Sequence, residues 1–336
     1  MAPDKPIVGV TMGDPAGIGS EVIVKAYPEA TDEANYVVLG DRDVMEDAVS
    51  ACESDLELRT VSSVAEVRAD SNTLDVLDFD NVDEIARGEI RGEYGQAGLD
   101  YVEDAIDLAL EGTIDAMCNA PLNKKALELA GSDYAGHTNL LADRTETENY
   151  SMLLLQDNIR VTHVSVHVPL EEAIEQVTTE NVLETLRVTK EGLEGLGIES
   201  PKIAVAGLNP HAGEGGVLGT QDGEEIEPAV EQAQSEGIDA AGPFAPDNIF
   251  NQAAVGRFDG VVAMYHDQGH IPMYVHGVLE SGGVAGVNMT IGLPIIRTST
   301  MHGTAFDIAG EGIADPDSIL EALNTAAQAA VAERSE

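Results

Sequence analysis

Residues 159–168 read IRVTHVSVHV, residues 203–211 IAVAGLNPH and residues 260–266 GVVAMYH. Each is an apolar, β-branched run with a histidine at or next to its downstream end, the pattern of a buried strand in a parallel sheet. His167, His211 and His266 stand at the downstream ends, and open α/β sheets place their ligands outside the carboxyl ends of strands. Three neutral imidazoles meeting there could hold a divalent metal and leave one coordination position for substrate. Three separate structural histidines, each satisfied by a backbone partner, are the alternative reading.

Further runs of the same kind lie on either side: IVGVTM (7–12), YVVLG (36–40), TLDVLDF (73–79), IDAMCNA (114–120) and SMLLL (151–155). They alternate with helical patterns at 20–27, 98–112, 181–197 and 315–333, which predicts an α/β protein with largely parallel sheets. Boundaries are expected near NAPLNKKALELAG (119–131) and near IGLPIIRTSTMHGT (291–304). The division expected is therefore 1–127, then a second α/β domain at 128–296 with the metal and substrate site and dimer contacts, then a return to the first domain at 297–336 with the cofactor loop.

The chain has 336 residues, of which 43% are hydrophobic, enough for a large core. Its 17 basic and 61 acidic residues give a formal net charge of −44. At low ionic strength that self-repulsion destabilises a compact state. Molar salt shortens the Debye length to roughly 3 Å and removes most of the penalty. The composition therefore reads as adaptation to a salt-rich cytoplasm, and it argues against nucleic acid or an anionic membrane as partner. Residues 251–310 hold only Asp259, Asp267, Glu280 and Asp307 as acids. A stretch that escapes the surface adaptation is expected to be interior, interfacial or catalytic. The start has no basic region followed by a long apolar segment, so no signal peptide is expected. Cys52 and Cys118 form no framework, which fits a reduced cytoplasmic protein.

Several segments could carry chemistry. TMGDPAGIGSEV (11–22) is a strand, Gly-rich loop and helix start, neither G-x-G-x-x-G nor a Walker loop, so it points to nucleotide or phosphate only weakly. NAPLNKK (119–125) puts Lys124 and Lys125 after a buried strand, where a desolvated lysine could carry a proton and an exposed helix-start pair is the alternative. GHTNLL offers His137 and Thr138 to substrate hydroxyls or a carboxylate. GPFAPDNIF holds Asp247 in an apolar loop, and YHDQG sets Asp267 beside His266, where it could orient a liganding imidazole or bind the metal itself. His163, His270 and His276 read as secondary. MHGTAFDIAGEGIADP (301–316) has small residues suited to a flat aromatic ligand such as adenine, with His302 and Asp307 as polar contacts.

Taken together, GVTMGDPAGIGSE, GHT, HVPL, GLNPHAGEGG, MYHDQG, GVNMTIGLPIIRTS and HGTAFDIAG resemble the 4-hydroxythreonine-4-phosphate dehydrogenase family from residue 7 to about 330. The resemblance implies a two-domain isocitrate/isopropylmalate dehydrogenase-like α/β fold with an interdomain cleft. It implies oxidation of a 4-phosphorylated four-carbon hydroxy acid with NAD or NADP, and decarboxylation of the product. A divalent metal (Zn, Co, Mn or Mg) would be held by His167, His211 and His266, in a homodimer whose site is shared between subunits through His167. Substrate contacts carry over to His137, Thr138, Asn288 and Arg297, and cofactor contacts to Gly303, Thr304, Ala305 and Asp307. Lys124 is the favoured base, with Asp247 or Asp267 orienting. Tyr274 stands where the family usually has a phosphate-binding lysine, and the loop that follows, VHGVLESGGVAGVN, is longer than usual and carries Glu280. An unphosphorylated dihydrodiol carboxylate is therefore an alternative substrate, and a metal-dependent lyase or hydrolase without nicotinamide is an alternative class.

Overall fold

The computed structural model describes residues 5–68, 70–134, 136–281 and 285–335. The chain forms two units, Met1–Thr147 with Leu293–Glu336, and Glu148–Gly292. The first begins with β1 (Ile7–Thr11), α1 (Gly19–Ala26), β2 (Asn35–Gly40), α2 (Arg42–Ala51), β3 (Glu57–Val61), β4 (Thr73–Asp78), α3 (Gly92–Leu110), β5 (Ala116–Asn119), α4 (Lys124–Leu129) and α5 (His137–Arg144). The second contains β6 (Ser151–Gln156), β7 (Ile159–His163), α6 (Leu170–Gln176), α7 (Thr179–Gly195), β8 (Ile203–Ala206), α8 (Glu227–Ser235), β9 (Ala240–Phe244), α9 (Pro246–Ala254), β10 (Gly260–Ala263), α10 (His266–Ser281) and β11 (Val287–Ile291). The chain then completes the first unit with β12 (Ile296–Thr300) and α11 (Asp317–Glu333).

In the first unit the strand order is β3-β4-β2-β1-β5-β12, and every pairing is parallel. The chain leaves β1 through α1 to β2 on one side, while β5 pairs with β1 on the other. The carboxyl ends of β1 and β5 thus flank a topological switch point, where an open α/β sheet leaves a crevice. Val8, Val10, Val37, Val38, Ala116 and Met117 are fully buried along these strands. Each large aliphatic side chain so placed contributes about 1.5–3 kcal/mol. α11 covers β12 and β5 with a face of alanines, and the Thr298 hydroxyl donates to the Ala322 carbonyl at 2.9 Å.

The second unit runs β11-β6-β7-β10-β8-β9. β11 and β7 are antiparallel to β6, whereas β7, β10, β8 and β9 are mutually parallel. The first boundary lies at 147/148, downstream of the 127/128 read from sequence, because α4 and α5 pack against α3 of the first unit. The return falls at 292/293, close to the 296/297 expected. Residues 282–284 of the long loop after α10 lie outside the described residues.

α3 and α4 approach so closely that a Cβ at Gly95 would stand 2.1 Å from the Ala126 carbonyl oxygen. Gly95→Ala is expected to destabilise the protein by about 1–3 kcal/mol through overpacking. Calorimetry in molar KCl checks this, and an unchanged melting temperature would contradict the packing described.

Candidate functional site

Parallel register delivers the histidines of the second unit. Val261 pairs with Val161 and Ala263 with His163, while Val262 pairs with Val205. β7, β10 and β8 therefore end on the same edge. His167 follows the end of β7, His266 opens α10 just after β10, and His211 lies in the loop after β8. The His167 and His266 ring centres are 5.6 Å apart, and His266 stacks on His270 at 3.6 Å. His163 joins this row, 4.9 Å from His270. Burial pushes His163 down to about 3, and the imidazoles of His270, His266 and His167 act in the same direction. Two of the three histidines read as secondary, His163 and His270, are thus part of the cluster. The Asp267 carboxylate lies 2.8 Å from His266 Nδ1, an arrangement that favours a proton on Nδ1 and a lone pair on Nε2. Among the described residues no group of three or more His, Cys, Asp or Glu side chains has metal-holding geometry, and no ring contact joins His211 to the row.

His211 is carried on strained backbone. Residues 211–215 all take positive φ, among them His211 (56°), Ala212 (53°) and Glu214 (44°). Left-handed geometry costs roughly 1–2 kcal/mol for each non-glycine residue. Asp222, 2% exposed, opposes that cost. Its carboxylate accepts from the Leu208 amide at 2.9 Å, the Asn209 amide at 3.3 Å and Asn209 Nδ2 at 2.8 Å. Buried Gln268 accepts from the Met264 amide and donates to the Gly207 carbonyl at 2.7 Å, tying the ends of β10 and β8 together. Sequence reading missed both residues. Only the grouping of Gln268 with the histidines in YHDQGH pointed toward it. Asp247 is exposed in the first turn of α9. Tyr274, 40% exposed, continues the α10 ring row at 6.3 Å from His270, and Asn288 is half-buried on β11.

The first unit has its own cluster. Arg297 is buried in β12, where its Nε donates to Asn119 Oδ1 at 2.7 Å, and Asn119 Nδ2 donates to Thr11 Oγ1 at 2.9 Å. Burial pulls the guanidinium down to about 10. His137 opens α5 beside half-buried Thr138, and His137 Nε2 is buried without a hydrogen-bond partner among the described residues. Burial first, and then the Arg297 charge, hold His137 well below the usual histidine range and keep it neutral. Lys124 is the first residue of α4 and is exposed, so this chain alone does not desolvate it. Asn123 acts as the cap of that helix, accepting from the Lys125 and Ala126 amides.

The loop after β1 meets the loop after β12. Gly13 takes φ +77°, and a Cβ there would lie 2.5 Å from the Pro121 carbonyl oxygen. A Cβ at Gly17 would lie 3.0 Å from Thr304, whose carbonyl accepts from the Ile18 amide at 3.1 Å. Fully buried Glu21 clamps the later part of the same loop, accepting from the Gly310 amide at 2.6 Å and the Gly312 amide at 2.8 Å. Arg87 donates to the Pro15 and Gly17 carbonyls and pairs with Asp47. Gly303 has open space beside it, Ala305 adopts φ 42°, and Asp307 is exposed. His302 Nε2 is buried and unpartnered among the described residues.

The relatives that share this fold end to end make the chain a dehydrogenase, an oxidoreductase acting on a CH–OH group. The chain belongs to the family described as pyridoxal phosphate biosynthetic protein PdxA, whose model matches residues 32–326. It is 45% identical over 329 residues to the D-threonate 4-phosphate dehydrogenase of Cupriavidus necator, covering 97% of each chain. It is 43% identical over 332 residues to the 4-hydroxythreonine-4-phosphate dehydrogenase of Desulforapulum autotrophicum, covering 97% of this chain and 96% of the relative. The crystal structure of 4-hydroxythreonine-4-phosphate dehydrogenase from Klebsiella pneumoniae matches with a TM-score of 0.87 at 38% identity, covering 97% of this chain and 98% of that one. No helix among the described residues is long and apolar enough to cross a membrane.

Asp14 adds a group absent from the sequence reading. It is 2% exposed, its Oδ1 accepts from the Ala16 amide at 2.9 Å, and its Oδ2 has no partner among the described residues. Burial pushes this carboxyl up to about 6, against the peptide N–H groups of Ala16 and Asn123. Since the folded protein holds the proton more tightly than the unfolded chain, stability falls as pH rises from about 4 through 6. Asp14→Asn should therefore stabilise the ligand-free protein at neutral pH by something on the order of 2 kcal/mol, with the gain vanishing below about pH 4. Urea unfolding in molar KCl measures it. A variant no more stable than wild type at neutral pH, or a gain that persists in acid, would contradict this.

Proposed function

We propose that the chain catalyses metal-dependent, NAD- or NADP-linked oxidation of a 4-phosphorylated four-carbon hydroxy acid, with loss of CO₂ from the product. The observation that carries the reading is the emergence of His167, His211 and His266 from the carboxyl ends of three neighbouring parallel strands. It is supported by end-to-end similarity to relatives named for such phosphates.

By donor chemistry the set suits a divalent ion, although the described residues of one chain do not bring all three imidazoles together. Three imidazoles are offered, and Asp267 presets the tautomer of one. Bound there, the ion would polarise the substrate hydroxyl and ease hydride departure. His137, Thr138, Asn288 and Arg297 are the proposed substrate contacts. Neutral His137 offers Nε2 as a hydrogen-bonding atom, and Arg297 supplies the buried positive charge suited to an anionic group. Lys124 is the proposed base, with Asp247 or Asp267 orienting. The orphaned buried atoms Asp14 Oδ2 and His302 Nε2, with open space at Gly303, fit a cofactor lying on Gly303, Thr304, Ala305 and Asp307.

The assembly proposed is a homodimer sharing its sites through His167. Its support is α10, where Ile271, Val275, Val278 and Leu279 (76% exposed) form an apolar face on a chain of net charge −44. A cytoplasmic, salt-rich setting completes the reading.

The test is reduction of NAD+ or NADP+ in molar KCl with a divalent metal, comparing 4-phospho-D-threonate, 4-phosphohydroxy-L-threonine and an unphosphorylated dihydrodiol carboxylate. Turnover of a phosphorylated acid is expected, with a loss of several hundredfold or more in His211→Ala. Light scattering should read twice the 35.3 kDa chain mass. Turnover of only the unphosphorylated compound would assign Tyr274 to a different substrate, and no nicotinamide reduction on any would contradict the reading.

A further inference from the structure

A buried carboxyl oxygen with no hydrogen bond is costly, and such groups mark places where a ligand completes the structure. Asp14 has one at the switch point between β1 and β5, in the first unit. Its neighbours hold it rigidly. The Asp14 amide donates to the Pro121 carbonyl at 2.9 Å, and its carbonyl accepts from the Gly17 amide at 3.0 Å. Oδ1 is committed to the Ala16 amide, so Oδ2 alone is left to accept. The Asn123 amide favours the carboxylate's charge without reaching hydrogen-bonding geometry.

The next residues of the same loop are bound to the 302–312 loop through Ile18, Gly17 and the Glu21 clamp. A ligand lying on Gly303–Ala305 therefore comes up against the loop that carries Asp14. Within a nicotinamide dinucleotide, the group rich in N–H donors at one end is the carboxamide, and a carboxylate oxygen is its natural acceptor.

We propose that Asp14 binds the nicotinamide end of the cofactor, its Oδ2 accepting a hydrogen bond from the carboxamide N–H. This rests on the nicotinamide-dependent reading above. It assigns a role to the first Gly-rich loop, which has no phosphate-binding signature, as a reader of the nicotinamide head.

Asp14→Asn is the informative change. With Oδ1 still held by the Ala16 amide, the new Nδ2 replaces Oδ2, and a donor then faces a donor. Isothermal titration of the full-length protein in molar KCl, without substrate, compares NAD+ (or NADP+ if preferred), ADP-ribose and 3-acetylpyridine adenine dinucleotide, which has a methyl ketone instead of the carboxamide. The variant is expected to bind NAD+ about 10- to 100-fold more weakly, the range of a hydrogen bond to a charged group. ADP-ribose should bind both proteins within about twofold, and the acetylpyridine analogue should not distinguish them. Asp14→Ala repeats the comparison without adding a donor, and melting curves confirm that both variants are folded.

Equal NAD+ affinity in wild type and both variants would overturn the proposal, as would a parallel loss for NAD+ and ADP-ribose, which would mean that Asp14 only shapes the loop. Wild-type protein that binds ADP-ribose and the dinucleotides equally well would overturn it while leaving cofactor use intact. Wild-type protein that binds none of the three would instead contradict the nicotinamide reading itself, and the proposal with it.

Discussion

The parallel pairing of β7, β10 and β8 is the constraint on which the chemistry of the second unit depends. Strands aligned in one direction release their following loops from one edge, so residues 167, 211 and 266, dispersed over a hundred positions, all follow strand ends on that edge. An antiparallel partner in the middle would send one of the three to the opposite edge. The antiparallel strands of this unit, β6 and β11, lie to one side of the histidine-bearing group and leave that edge intact.

Strand ends alone do not hold loops in place, and here buried carboxylates do so. Glu21 takes two amides of the 310–312 turn, and Asp222 takes two amides and a side-chain amide around the left-handed turn of His211. Both are buried acids with their acceptors well used, which is how a buried charge becomes tolerable. Asp14 is their counterpart with one oxygen unused. The contrast within one chain separates carboxylates that organise the loops from one placed for a ligand. With 61 acids on the chain, composition could not pick these three out.

Much of the architecture was legible because long β-branched runs and amphipathic stretches are strong local signals. All eight strand runs read from sequence contain observed strands, and α1, α3, α7 and α11 lie where the periodicity put them. Four strands escaped, β3, β9, β11 and β12, and three of them had weak signals. β3 carries ELRTV with only Val61 buried, β9 contains Gly242 and Pro243, and β12 reads IRTST around a buried arginine. Those polar residues make sense only with partners distant in sequence, such as Asn119 for Arg297. The histidine motifs were legible as chemistry, but the His163–His270–His266 row was not, since it requires β7 and α10 to pack together. Desolvation was also illegible: the sequence left Lys124 open between a desolvated cleft and an exposed helix start, and it is exposed, while Asp14, unremarked in its loop, is buried.

The central claim is that His167, His211 and His266 hold a single divalent ion in a site shared between two subunits through His167. Anomalous X-ray scattering from crystals grown with Co²⁺ in high salt tests it directly. The account predicts one strong peak per site, about 2.1 Å from nitrogens of His167, His211 and His266, with the map showing which subunit supplies each. No peak at these histidines, or a peak held by other side chains, would contradict it.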